Sequence, residues 1–246
     1  MKFLRYFVIA FAALLVWQGV IWVFHFPPFI LPSPFSVFNS LVTHCLLIAQ
    51  NAWPTVLEAL LGLLFGGLAG IWAALCLSYF RWARSWFLPL LITSQALPIF
   101  AIAPLLVIWF GYGIASKIVV TMLMIFFPVA SAFYDGLRRT PSEWLDLGQV
   151  MGASRLRSLW KIRIPSALPA LGSGLRVAAT FAPMGAVIGE WVGSSRGLGF
   201  LMLNANARMQ IDLMFAVLFV LIVLTLILYF TVDKFLRKMI FWSSHA

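Results

Sequence analysis

Six mainly apolar runs, each about as long as a helix must be to cross a bilayer, divide this chain at about 7–24, 55–79, 87–110, 116–134, 167–191 and 213–233. A helix rises 1.5 Å per residue, so roughly 20 apolar residues cross a hydrocarbon core of about 30 Å. In lipid the backbone must satisfy its own hydrogen bonds, which leaves helices or a closed barrel. Long apolar runs without strand-like alternation predict helices. The expected fold is all-α and integral to the membrane: six transmembrane helices in a single domain over residues 1–246.

Composition supports lipid as the solvent. The chain is 63% hydrophobic and 10% charged, against about 25% charged in soluble domains. The first run, Phe7 to Phe24, has 18 residues, more than the roughly 7–15 of a signal-peptide core. Bulky HFPPFILP follows it in place of a small-residue cleavage site, so a retained helix is expected. The net charge of +10 does not indicate nucleic acid, because the basic residues sit at the ends of apolar runs and no nucleic-acid-binding motif is present. Cys45 and Cys76 read as buried small hydrophobes, and the scattered His25, His44 and His245 predict no metal site.

Lys and Arg set the expected orientation. With the N-terminus inside, Lys2, Arg5, Arg81, Arg84, Arg138, Arg139, Arg155, Arg157, Lys161, Arg163, Lys234, Arg237 and Lys238 fall on the inner side. Only Lys117, Arg196 and Arg208 fall outside, and Arg176 lies within the fifth run. Both termini are therefore expected in the cytoplasm of a bacterial cell, with the chain multi-pass in its inner membrane and in contact with lipid. The 28 residues from His25 to Ala52 hold no Lys or Arg and read as an outer loop, its proline-rich PPFILPSPFSVF an ordered cap. Trp17, Trp22, Trp53, Trp82, Trp86 and Trp109, near run ends, fit an interfacial aromatic belt.

The longest polar interruption, from Asp135 to Pro169, holds six of the 17 Lys and Arg. Hydrocarbon excludes it, so it lies in water on one face. Thr140-Pro141-Ser142-Glu143 reads as a helix start. Trp144, Leu147, Val150 and Met151 recur at helical spacing. Gly152 breaks that helix, and Leu156, Leu159, Trp160 and Ile162 form a second apolar face. Two short helices joined at a glycine are expected along the membrane surface, with Pro165 and Pro169 punctuating the start of the fifth run. No GxxxxGK[ST] or GxGxxG motif occurs, so no cofactor is expected in this chain and any energy enters through a partner.

Asp146 stands six positions before Gly152, which is followed by Ala153-Ser154 and, thirteen positions on, by Pro165. This segment resembles the "EAA" loop of permease subunits of binding-protein-dependent ABC importers. In that family the loop forms a coupling helix that docks into the ATPase subunit. The sequence departs from the family pattern in Asp146 for the usual Glu, Leu147-Gly148 for Ala-Ala, and Ile164 for the Leu before the proline. The resemblance implies the type I ABC importer permease fold and no enzymatic activity of the chain's own. It implies Asp146, Gly152, Ala153 and Ser154 as ATPase-docking residues, with Glu143 and Arg155 flanking them. It also implies a second copy of the chain, two cytoplasmic ATPase subunits that bind ATP, and an extracytoplasmic solute-binding protein. LPIFAIAPLLVIWFGYGIASKI and GEWVGSSRGLGFLMLNANARMQIDLMFA resemble the subgroup importing nitrate, sulfonates, taurine and thiamine-precursor pyrimidines, most of all the hydroxymethylpyrimidine permeases.

Ionisable residues within apolar runs are costly and point to function. Glu190, at the outer end of the fifth run, is placed at the mouth of a pathway. Gln95 and Pro98, in a proline-loosened part of the third run, are placed along its wall. Arg176 is expected to snorkel toward the cytoplasm. Gly62, Gly66 and Gly70 form a strip for close helix packing. The rival readings are a self-sufficient secondary carrier or channel, which would place several ionisable groups at mid-membrane, and a membrane enzyme, which would need a clustered catalytic constellation.

Overall fold

The computed structural model describes residues 2–80, 82, 86, 89, 91, 93 and 98–242. Among these, every regular element is helical: α1 (Lys2–Phe24), α2 (Pro34–Thr43), α3 (Cys45–Tyr79), α4 (Ile99–Phe110), α5 (Ile114–Arg138), α6 (Ser142–Val150), α7 (Arg155–Ser158), a π-helical turn (Leu159–Arg163), α8 (Ile164–Gly193), α9 (Leu198–Ala207) and α10 (Ile211–Met239). Four segments are long and apolar enough to cross a membrane: Cys45–Tyr79, Ile114–Arg138, Arg155–Gly193 and Ile211–Met239. Ala12–Phe24 and Ile99–Phe110 are shorter apolar helices.

The centre is a three-helix sandwich, with α5 between α3 and α8. Lipid offers no hydrophobic drive for helix association, so small residues that allow close approach do the work. A Cβ on Gly66 would lie 2.9 Å from the Met122 carbonyl, and one on Gly70 2.8 Å from the Phe126 carbonyl. The glycine strip thus packs within the subunit, against α5. On the other side Gly136 meets Ala167 and Ala170, Gly174 meets Pro128, Gly185 meets Thr121 and Gly189 meets Lys117. The order of these contacts makes α3 and α5 parallel and α8 antiparallel to both. Tyr79 and Ile114 therefore lie at opposite ends of the bundle. Ile125, Val129, Phe133 and Leu137 of α5 are buried in this core with Ala74, Ala178 and Ala182.

Two smaller cores flank it. One joins α2, α9 and α10 through Val37, Leu198, Leu201, Leu213 and Val217. The other joins α4, α5 and α8 through Ala103, Leu106, Val120 and Ile188. The outer face of α10 leaves Phe219, Ile222, Ile227 and Phe230 exposed, a surface suited to lipid.

Several expectations need correction. The His25–Ala52 stretch is not simply a loop. Ser33 caps α2 by accepting from the Ser36 N–H at 3.1 Å, with Pro34 in the first turn, where its missing N–H costs nothing. The second helix begins at Cys45, ten residues before the expected span, and carries Pro54 inside it. The third run is not one helix, because the backbone is extended at Pro98 (φ −67°, ψ 116°). Pro165 and Pro169 lie inside helix α8, and no second short helix stands apart, since α7, the π-helical turn and α8 form one segment of 39 residues, Arg155–Gly193. A proline ring collides with the carbonyl four residues earlier, and the wider π turn before Pro165 relieves that collision. Trp17 packs on Phe215 with ring centroids 5.8 Å apart instead of standing free at an interface. Lys117, counted as an outer charge, is buried.

Arg176 does not simply snorkel. Its Nε donates to Asp233 Oδ1 of α10 at 2.7 Å, and Arg237 Nε donates to Asp233 Oδ2 at 2.9 Å. A charge inside an apolar helix is stabilised here by a carboxylate from a neighbouring helix.

Candidate functional site

The loop between α5 and α8 is ordered by its own local chemistry. α6 places Glu143 in its first turn, where the positive end of the helix dipole favours an anion. Its far end closes in a Schellman motif. Gly152 N–H donates to the Gln149 carbonyl at 2.9 Å and Ala153 N–H to the Gly148 carbonyl at 2.9 Å. Gly152 has φ +74°, a left-handed conformation that glycine adopts without a Cβ penalty. Ser154 then starts the next helix, its hydroxyl accepting from the Arg157 N–H at 3.3 Å.

Two contacts pin this loop to the bundle. Gly148 is buried against Ile162, and a Cβ there would lie 2.7 Å from Ile162 Cδ1. The glycine at 148 thus lets Ile162 lie directly against the α6 backbone, and a side chain there would make the Ile162 tip move aside. Arg163 donates from Nε and Nη2 to the Leu137 carbonyl, and Thr140 Oγ1 donates to it at 3.2 Å. The Leu137 carbonyl, one of the last of α5, is thus satisfied by the loop itself.

With its inner side fixed, the loop leaves an apolar face open. Trp144, Leu147, Val150 and Met151 are exposed, Val150 at 86%. Trp144, Leu147, Met151, Ile162, Pro165 and Trp242 line an open groove of about 550 Å³, so Trp242 lies on the loop's side. Glu143, Asp146, Gly152, Ser154 and Arg155 are exposed and Ala153 is half-buried. Of these six expected docking residues, Glu143 and Asp146 lie on α6, and Gly152, Ala153, Ser154 and Arg155 form the turn after it and the start of α7.

Of the expected pathway residues, Gln95 lies outside the described residues. Pro98 is exposed and caps the start of α4. Glu190 is buried, 1% exposed, at the end of α8 away from the loop. Its Oε1 accepts from the Thr55 hydroxyl at 2.6 Å and its Oε2 from the Gly199 N–H at 2.5 Å. Asn51 Oδ1 accepts from Gly197 N–H at 3.0 Å, and Thr55 Oγ1 from Leu198 N–H at 2.8 Å. The first amides of α9 therefore find their caps on α3 and α8. Gly197 (φ +117°) is required here, because a Cβ would fall on the Glu190 carboxylate. Sequence reading missed Asn51 and Thr55 as partners. Thr55, a polar residue one turn before Glu58 in an apolar run, was the available signal.

Comparison with known proteins agrees with this architecture. A family described as "Binding-protein-dependent transport system inner membrane component" matches residues 66–241. A "Probable ABC transporter permease protein" of Haemophilus influenzae is 56% identical over 230 residues, 94% of each chain. The formylaminopyrimidine transport permease protein ThiX of Halalkalibacterium halodurans is 33% identical, covering 88% of this chain and 87% of that one. The riboflavin transport system permease protein RibX of Chloroflexus aurantiacus is also 33% identical, covering 94% and 87%. Among solved structures, a chain of the MetNI methionine ABC transporter in an inward-facing conformation superposes with a TM-score of 0.69 at 19% identity, covering 80% of this chain and 97% of that one. The fold is that of type I ABC importer permeases, and the chain belongs to the family of inner-membrane components of binding-protein-dependent transport systems, as an ABC importer permease subunit.

Proposed function

We propose that this subunit forms the translocation pathway for a thiamine-precursor pyrimidine. It works as a homodimer with the pathway on the two-fold axis. Each copy crosses the bacterial inner membrane six times and keeps both termini in the cytoplasm. Two ATPase subunits, which bind the ATP, dock on the 135–165 loops, and a solute-binding protein delivers the solute from outside. ATP-driven closure of the ATPases draws the two loops together and turns the pathway outward. Gln95 and Pro98 line that pathway, and Glu190 supports its outer end through α9. A partner moves the chain only if it binds two conformations with different affinity, and the loop is where that difference acts.

The observation that carries this reading is the exposed apolar face of α6, from Trp144 to Met151, held rigidly by Gly148–Ile162 and Arg163–Leu137 on a segment outside hydrocarbon. The pyrimidine follows from the likeness to the formylaminopyrimidine permease. The test is co-expression with the cognate ATPase and binding protein. Gly152→Asp is expected to abolish ATPase co-purification and uptake while leaving the chain in the membrane. Uptake of labelled hydroxymethylpyrimidine should be competed by formylaminopyrimidine and not by taurine or nitrate. Solute movement through the permease reconstituted alone would remove the ATPase from the scheme, and competition by taurine alone would replace the substrate.

A further inference from the structure

Between the docking loop and the last turn of α3 lies another cavity, of about 550 Å³, walled by Ser78, Tyr79, Gln149, Arg155, Ser158 and Arg163. Arg163 is half-buried, and its Nε and Nη2 donate to the Leu137 carbonyl. Those two bonds hold the guanidinium in place, while its Nη1 bonds to no described residue. All seven Asp and Glu of the chain are among the described residues, and both salt bridges found there end on Asp233. Neither Arg155 nor Arg163 therefore has a carboxylate partner. Ser78 Oγ, in the same wall, is buried without a hydrogen bond.

A half-buried cation without a counter-charge is costly, so this cavity calls for an anion. Guanidinium forks match the oxygens of a phosphate, and Gln149 and Ser158 add neutral donors beside them. Depth selects the source of that phosphate. The apolar span of α3 ends at Tyr79, which puts the cavity at the level of lipid headgroups. Tyr79 and Phe80 are exposed there with their rings edge to face, centroids 4.9 Å apart, as aromatic side chains stand at a membrane surface. We propose that the cavity binds the phosphate of a lipid from the leaflet on the docking-loop side, and that it selects a headgroup of net negative charge such as phosphoglycerol. The selection follows from the wall, which has no carboxylate to receive the ammonium of a choline or ethanolamine headgroup. A lipid seated there touches α3, α6, α7 and the π-helical turn at once, and so braces the base of the loop against the bundle.

A ligand that binds the folded chain raises its melting temperature by mass action. The full chain, purified in detergent, is titrated with dihexanoyl phosphatidylglycerol, dihexanoyl phosphatidylcholine or inorganic phosphate. Phosphatidylglycerol should raise the melting temperature saturably and phosphatidylcholine should not. The apparent affinity for phosphatidylglycerol should fall about tenfold in Arg155→Gln, which removes a charged donor. Arg155 is exposed, so this variant keeps its fold. In Arg157→Gln, two positions away and outside the wall, the affinity should stay within about twofold. Equal weakening in the two variants would reduce the effect to a diffuse basic surface and overturn the proposal, as would equal stabilisation by phosphatidylcholine or none by phosphatidylglycerol. Inorganic phosphate acting as strongly as phosphatidylglycerol would assign the cavity to a free anion instead of a lipid. Phosphatidylglycerol should also be retained when the chain is co-purified with its ATPase, and its displacement would hand the cavity to the protein partner.

Discussion

Arg163 reaches back across the docking loop to the Leu137 carbonyl, donating from Nε at 3.2 Å and from Nη2 at 2.9 Å. The end of α5 and the start of the α8 segment, 26 residues apart, are tied by one side chain. The loop can therefore deviate outward without loosening its base. Arg163→Gln should lower stability by about 1.5–3 kcal/mol, the range for hydrogen bonds from a charged group. It should also weaken ATPase co-purification, whereas Arg157→Gln, on the exposed side, should leave the melting temperature nearly unchanged. Thermal melts in detergent read both.

Gly148→Ala should cost less than about 1 kcal/mol, because its Cβ meets only the movable tip of Ile162. Any loss should disappear in Gly148→Ala/Ile162→Val, which removes the Cδ1 atom that the new Cβ would meet. Limited proteolysis of the loop measures it, and a double-mutant cycle without coupling would deny the contact.

Along α3 the glycines differ in what they face. Gly70 meets the Phe126 carbonyl, a backbone atom that cannot move aside, whereas Gly67 meets only the tip of Leu175 at 3.6 Å. Gly70→Ala is expected to cost about 2 kcal/mol or more and Gly67→Ala less than about 0.5 kcal/mol. Membrane accumulation and detergent melting temperature should rank them in that order.

Removing Asp233 should leave Arg176 unpaired in a partly buried site, since both side chains are near 15% exposed. Asp233→Asn is expected to cost about 2 kcal/mol, below the 3–5 of a fully buried pair. Arg237→Gln, at 65% side-chain exposure, should cost less than about 0.5 kcal/mol. Arg176→Met/Asp233→Leu should recover most of the loss, as read by thermal melts.

What could be read from the sequence was what depends on near neighbours. The apolar runs, the polar break after Asp135 and the turn at Gly152 all follow from residues within one or two turns of each other. Ser33-Pro34 was a legible helix start too, but the prolines around it suggested a loop. Pro165 and Pro169 suggested a boundary, because the widened turn that accommodates Pro165 leaves no mark in composition. The partners of charges were not legible. Thr55 and Glu190 are separated by 135 positions and Arg176 and Asp233 by 57, and only the packing of α3 and of α10 against α8 brings them together.

The segment from Arg155 to Gly193 has no break over its 39 residues, a rod of about 58 Å at 1.5 Å per residue. One extremity is seated beside the Gly152 turn and the other carries the carboxyl that grips α9. Contacts from Gly136–Ala167 through Gly174–Pro128 to Gly189–Lys117 fasten this rod to α5 along its length, so a displacement at one tip is shared by the whole helix pair. The two faces of the membrane are thereby geared together by a single piece of backbone.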